Sequence, residues 1–197
     1  MRRLSARALR WLPAALLALQ APGLLAGAAP PQEYLDEETA ATITVVAQPL
    51  VFAYARRELA ANARDYATVA AAAVNRGGNV TYVLVIYFWS TVDPRLRTDA
   101  SPAAEPVVLR ADDRRIALAL RSHTAHDAGI GRPVHAPPGE PVVPNVYAVD
   151  LATLRFIAEA RRLVLEADSA STTLAYDLWE DRRADLRAFV RHMNGED

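Results

Sequence analysis

Two runs, Asp65-Tyr66-Ala67-Thr68-Val69 continuing to Val74 and Val80-Thr81-Tyr82-Val83-Leu84-Val85-Ile86-Tyr87-Phe88-Trp89, flank the turn Arg76-Gly77-Gly78-Asn79, and their reading decides the fold. The second run places β-branched or aromatic residues at nearly every position, which favours strand. So continuous an apolar run fits a strand buried on both faces or central in its sheet. It needs a partner, and the Gly-Gly turn makes the preceding run that partner in a hairpin. A helix ending at Gly77 competes with this, since Leu59, Ala63, Tyr66, Ala70 and Ala73 share one helical face and alanine favours helix. The hairpin explains both runs at once and is the expectation.

Working outward, Thr42-Ile43-Thr44-Val45-Val46 reads as a strand that Pro49 interrupts and Leu50-Val51-Phe52-Ala53-Tyr54 resumes. Such a break suits an edge strand or a bend between two sheets. Downstream, residues 92–106 form a loop bounded by Asp93-Pro94 and by Pro102 and Pro106. Val107–Arg110 and Ile116–Leu120 then form a second hairpin about the turn Ala111–Arg114. Residues 122–145 are a long loop rich in glycine and proline, and loops of that length often carry function.

Val146–Val149 is a short strand, and Asp150 caps a helix with Leu151, Leu154, Ile157 and Ala158 on one face. Leu163–Leu165 and Thr172–Tyr176 are two more strands. The last helix turns Leu186, Phe189, Val190 and Met193 inward and Arg183, Arg187 and Arg191 outward, and ends at Asn194-Gly195. Strands first and helices last predict an α+β fold: an antiparallel or mixed β-sheet built from hairpins, with two C-terminal helices packed on it. The expected organisation is a signal peptide over 1–28, a polar lead-in over 29–40 and a single α+β domain over 41–197, with its long Gly/Pro/His loop at 122–145.

The leader is the most specific signal. Arg2, Arg3, Arg7 and Arg10 precede an apolar stretch from Trp11 to Ala26, and Ala26-Gly27-Ala28 supplies the small-x-small pattern of a signal-peptidase site. A membrane anchor needs about 20 uninterrupted apolar residues, whereas this stretch carries Pro13, Pro22 and Gly23. Cleavage after Ala28 puts Ala29 first. The expected location is therefore export to the periplasm or an outer-membrane-associated position, with no membrane span after cleavage.

Composition narrows the chemistry. The 197 residues include 22 basic ones, all arginine, and no cysteine; 52% are hydrophobic and mean hydropathy is +0.02. Absent cysteine excludes disulfides, thiolate metal sites and a cysteine nucleophile. Absent lysine excludes Schiff-base and P-loop lysines. Loss of the leader leaves 18 arginines against 23 acids, a net charge of about −5, so there is no basic footprint for nucleic acid. The arginine-only, alanine-rich composition suits a GC-rich bacterial gene.

The sharpest candidate chemistry lies in the long loop, where Ser122-His123-Thr124-Ala125-His126-Asp127 is followed by His135. His123, His126 and His135 have the ligand chemistry for zinc or copper, but the spacing is not that of a helical zincin motif. No serine sits in a G-x-S-x-G elbow, and Gly129-Ile130-Gly131 lacks the rest of a dinucleotide fingerprint. Asp112-Asp113 reads as a turn and Glu180-Asp181 as a helix entrance. The aromatics Tyr82, Tyr87, Phe88 and Trp89 read as sheet core before pocket lining. Arg161-Arg162 and Arg182-Arg183 read as solvated positions. No catalytic residue and no cofactor site is expected. The functional expectation is a non-enzymatic exported envelope protein that binds or scaffolds an envelope protein or small-molecule partner. The alternative is a periplasmic metal-binding or metal-dependent protein using the histidine loop.

Overall fold

A computed structural model describes residues 28–93, 95, 102–138, 142–169 and 172–196. The expected leader lies, apart from Ala28, outside the described residues. The strands are β1 (Gln32–Asp36), β2 (Ala41–Val45), β3 (Leu50–Ala55), β4 (Arg64–Arg76), β5 (Asn79–Ser90), β6 (Val107–Ala111), β7 (Arg114–Ser122), β8 (Asn145–Val149), β9 (Leu163–Ser169) and β10 (Thr172–Glu180). Helix α1 (Leu151–Glu159) lies between β8 and β9, and α2 (Arg183–Met193) follows β10.

The decisive hairpin is present: β4 and β5 pair antiparallel from Asp65↔Ser90 to Arg76↔Asn79 around Gly77 and Gly78, which take φ of +56° and +90°. Glycine suits both positions, because it takes positive φ without the strain a side chain brings. The rest of the sheet differs from expectation. Eight strands close into a ring in the order β4–β3–β10–β9–β6–β7–β8–β5 and back to β4, all antiparallel, with β2 and β1 extending beyond it on the β3 side of β4.

The chain is thus a mostly-β closed barrel with two short helices, and the α+β expectation of a hairpin sheet with helices laid on it is incorrect. Hairpin signals are local. Closure depends on β3 pairing with β10 and β5 with β8, and nothing in a strand's own period-2 pattern names such distant partners.

The break at Pro49 gains a meaning from the same topology. β3 pairs with the first half of β4 and β2 with the second. Val46 N–H continues the ladder to Ala71 O at 3.0 Å. The bend therefore lies within one run along β4, not at a boundary between two sheets. The polar lead-in contains β1, which pairs with β2 from Gln32↔Val45 to Asp36↔Ala41.

Opposite faces of β4 and β5 bury different things. Phe88 of β5 and Tyr176 of β10 place their ring centroids 5.8 Å apart, as do Tyr54 of β3 and Tyr176. β5 and β10 are not neighbours, so the Phe88–Tyr176 contact crosses the barrel interior. Ala67, Val69 and Ala71 share that inward face with Phe88, Ile86 and Leu84. Alanines on β4 leave room for the larger rings facing them, as a filled eight-stranded barrel requires. Thr68, Ala70, Ala72, Tyr87, Val85 and Val83 turn outward, and all are buried.

Helix α1 leaves β8 and delivers the chain to β9, passing the ends of β7 and β6. Asp150 caps it as expected, accepting from Thr153 N at 2.6 Å. Helix α2 packs on α1, with Leu186, Phe189 and Val190 joining Leu154 and Ile157 in the core. Arg187 donates to Ala158 O at 3.0 Å and Arg183 to Ala160 O. These two arginines satisfy carbonyls at the end of α1 that have no partner within the helix, so they are not simply solvated.

Candidate functional site

What buries the outer face of β4 and β5 is the long loop. Its residues Ala128, Ile130 and Val134 are buried, and Gly129 approaches the Val74 and Arg76 side chains of β4. Short bonds within it, Ile130 N to Ala125 O at 2.9 Å and Gly129 N to His126 O at 2.8 Å, make a compact turn. Gly131 N donates to Asp36 Oδ2 at the end of β1, and His135 Nε2 donates to Val46 O at 2.7 Å. The loop is thereby fastened at both sides of the β1–β2 extension. Asp36 is buried, and the Gly131 amide holds its carboxyl below the usual carboxylate range.

The three loop histidines face three different partners. His123 Nδ1 meets Asn145 Oδ1 at 3.2 Å, and His126 Nε2 lies 3.4 Å from Glu38 Oε1 on an exposed surface. His135 takes the Val46 carbonyl and φ of +49°. Among the described residues no group of three or more His, Asp or Glu side chains is placed to hold a metal ion.

Two depressions adjoin on this wall and share Ala136 and Pro137 as the ridge between them. One, of about 310 Å³, lies within the loop and is lined by Tyr87, Ile130, Pro133, Val142 and Pro144, with His126 and Arg132 at its margin. Burial pushes the Tyr87 phenol up from its ordinary pKa. The other is a groove of about 380 Å³ lined by Val51, Tyr66, Trp89, Trp179, Pro137 and Pro138, with Gln48, Thr68, His135 and Glu180 among its polar residues. Both volumes are in the range of small-molecule sites.

The groove's aromatic wall is held rigidly. Tyr66 and Trp89 are directly opposed on β4 and β5 and stack with centroids 4.4 Å apart at 17°. The Trp89 indole N–H donates to Thr68 Oγ1 at 3.0 Å, which fixes its ring. Trp179 is 54% exposed, with the Arg64 guanidinium 4.6 Å from its ring centroid. It sits where the β10–β3 register shifts between Leu178 and Glu180, on the exposed side of the strand's alternation.

Sequence reasoning weighed Trp89 but not Tyr66 or Trp179. A signal for Trp179 was available. In β10, Leu174 and Tyr176 are buried while Thr173, Ala175 and Asp177 are exposed, and a tryptophan on the exposed side of that alternation calls for an explanation. Of the aromatics expected in the core, Tyr82 and Phe88 share the inward face, Tyr87 lies under the loop, and Trp89 lines the groove.

Elsewhere the barrel wall is polar on its outside. Arg110 and Arg115 flank Glu166 at 3.3 and 3.0 Å on β6, β7 and β9. No helix of the described residues is long and apolar enough to cross a membrane. The chain matches no protein-family model, and no curated protein and no solved structure is significantly similar to it.

Proposed function

We propose that this chain is an exported bacterial envelope protein, periplasmic or outer-membrane associated, that works by binding and not by catalysis. Its ligand is a saccharide, taken in the aromatic groove of the barrel's outer wall. The observation that carries this reading is the half-exposed Trp179 beside the stacked Tyr66–Trp89 pair.

Trp179, with Arg64 over its ring, adjoins Tyr66, Trp89, Pro137 and Pro138 in one contiguous apolar patch with a polar rim, and patches of that kind mark interaction sites. Flat aromatic faces with a few polar groups at the rim suit a sugar ring, whose C–H face stacks on the indole while its hydroxyls bond Gln48 and Glu180. The groove is largely pre-formed, because Trp89 is stacked and hydrogen-bonded before any ligand arrives, and little ordering cost remains to oppose binding. The outward charges of β6, β7 and β9 support a wall that faces water: a lipid-facing barrel carries the reverse pattern, apolar outside and polar within.

The test uses a convenience of the sequence. The chain has three tryptophans, and only Trp89 and Trp179 lie beyond the leader, so intrinsic fluorescence of the processed protein reports on the groove alone. Titration with N-acetylglucosamine oligomers is expected to shift tryptophan emission saturably. Trp179→Ala is expected to weaken binding about tenfold, the value of roughly 1.4 kcal/mol of lost stacking. Unchanged emission at millimolar oligomer overturns the saccharide reading, as does undiminished affinity in Trp179→Ala.

A further inference from the structure

We propose that export creates a structural ion pair: cleavage after Ala28 turns the Ala29 amide nitrogen into an α-ammonium that pairs with the buried carboxylate of Asp185. This rests on the reading of residues 1–28 as a cleaved leader and adds a use for the end that cleavage produces.

The geometry is already in place. Ala29 N donates to Asp185 Oδ1 at 2.8 Å, across 156 residues of sequence. Asp185 lies in the first turn of α2 and is only 7% exposed. The arginine–carboxylate pairs among the described residues use other acids, among them Asp65, Glu166 and Asp181. A carboxylate withdrawn from water with a neutral amide as its partner is poorly compensated, and a cation at the same place compensates it far better.

Before cleavage that nitrogen carries one hydrogen and no charge. After cleavage it carries three hydrogens and, at neutral pH, a full positive charge, and bonds of this charge-assisted kind are shorter and stronger than neutral ones. The surroundings leave room for the new end. Ala28, which cleavage removes, lines a depression of about 580 Å³ bounded by Arg155, Ala158, Glu159, Arg187 and Arg191 of the two helices. Pro30 and Pro31 follow directly, and their fixed φ limits the freedom of the new terminus before it docks. The pairing would tie the first residue of the processed chain to its last helix, so that only the processed protein holds α2 with full strength.

The absence of lysine makes the test clean, because the α-amine is the only primary amine in the chain. The exported protein is purified and its N-terminus sequenced, with Ala29-Pro30-Pro31 expected; any other first residue overturns the proposal at its premise. The same protein is then treated with an amine-acetylating reagent, folded and in denaturant. Relative to its denatured rate, the folded α-amine is expected to react at least about tenfold more slowly than in Asp185→Asn, a ratio equivalent to about 1.4 kcal/mol of pairing.

Protein acetylated while unfolded and then refolded is expected to melt several degrees below the unmodified protein, and acetylation is expected to leave the Tm of Asp185→Asn unchanged. Equal protection in the two proteins, or equal loss of Tm on acetylation, overturns the pairing while leaving the leader reading intact. If Asp185→Asn does not fold, the folded-to-denatured ratio in the unsubstituted protein decides: a ratio near one overturns the proposal.

Discussion

At the turn between β6 and β7, Asp112 sits at φ +50°, a conformation that aspartate and asparagine tolerate better than most residues. Its carboxylate Oδ1 accepts from Arg161 N at 2.9 Å and Arg162 N at 2.8 Å, and its own N–H donates to Arg162 O at 2.9 Å. One turn residue therefore anchors the segment joining α1 to β9. Asp112→Ala removes both acceptor contacts and adds strain at positive φ, and is expected to cost about 1–3 kcal/mol. Asp112→Asn keeps an acceptor and tolerates the backbone, so it is expected to cost less than half as much; denaturant midpoints of the two variants check the order. The sequence shows Asp112-Asp113 as a turn. That Arg161 and Arg162 attach to it through their backbone amides was not legible, because those amides are 49 and 50 residues away and carry no residue-specific mark.

Among the elements, the long loop and the end of β10, where its register with β3 shifts, line the groove. The loop's glycine-rich composition marks it as irregular, but its place is set by particular contacts, above all Gly131 against the end of β1. A Cβ at Gly131 would lie 2.8 Å from both Asp36 Oδ1 and Glu38 Oε2. Glu38 is exposed and can swing away, whereas Asp36 is buried and held by the Gly131 and Glu38 amides. Gly131→Ala is therefore expected to destabilise by about 1–3 kcal/mol through overpacking. It should also raise amide exchange over 125–137 before it affects β6 and β7, and hydrogen-exchange protection mapped by segment reads this directly. The histidines in the loop, prominent in sequence, serve as hydrogen-bonding partners to Asn145 and the Val46 carbonyl in two of three cases. Strand β10 carries the opposite lesson: its alternation was readable and places Trp179 on the exposed side, but that Trp179 stands beside Tyr66 and Trp89 depends on β10 pairing with β3 and β3 with β4, which has no signature in β10 alone.

For the whole molecule, burial of both faces of β4 and β5 concentrates stability in one barrel with a covered outer wall, and no disulfide supports it. Its acid response follows from three carboxylates held below their ordinary pKa. Asp36 is held by the Gly131 amide, Asp150 by Thr153 at the start of α1, and Asp181 by the Arg183 guanidinium. A folded-state pKa below the unfolded value gives stability that is present above the unfolded pKa and lost as pH falls through the folded one. Unfolding midpoints are therefore expected to fall as pH drops below about 4, the ordinary aspartate value, and Asp36→Asn should flatten part of that fall. An unfolding midpoint in denaturant that stays constant from pH 5 to 2.5 would contradict this.

By itself, the sequence determined the central hairpin with its Gly-Gly turn, the β6–β7 hairpin, the Asp150 cap and the inward face of α2. Each follows from a period, a turn residue or a cap within a dozen positions. The tertiary structure alone decided that the sheet closes, that the loop covers β4 and β5, that Tyr66, Trp89 and Trp179 meet in one groove, and that Ala29 reaches Asp185. A strand's alternating pattern is satisfied equally by any partner offering an apolar face. The choice among partners is made by the free energy of the complete arrangement, in which Asp36 finds Gly131 across 95 residues and Ala29 finds Asp185 across 156.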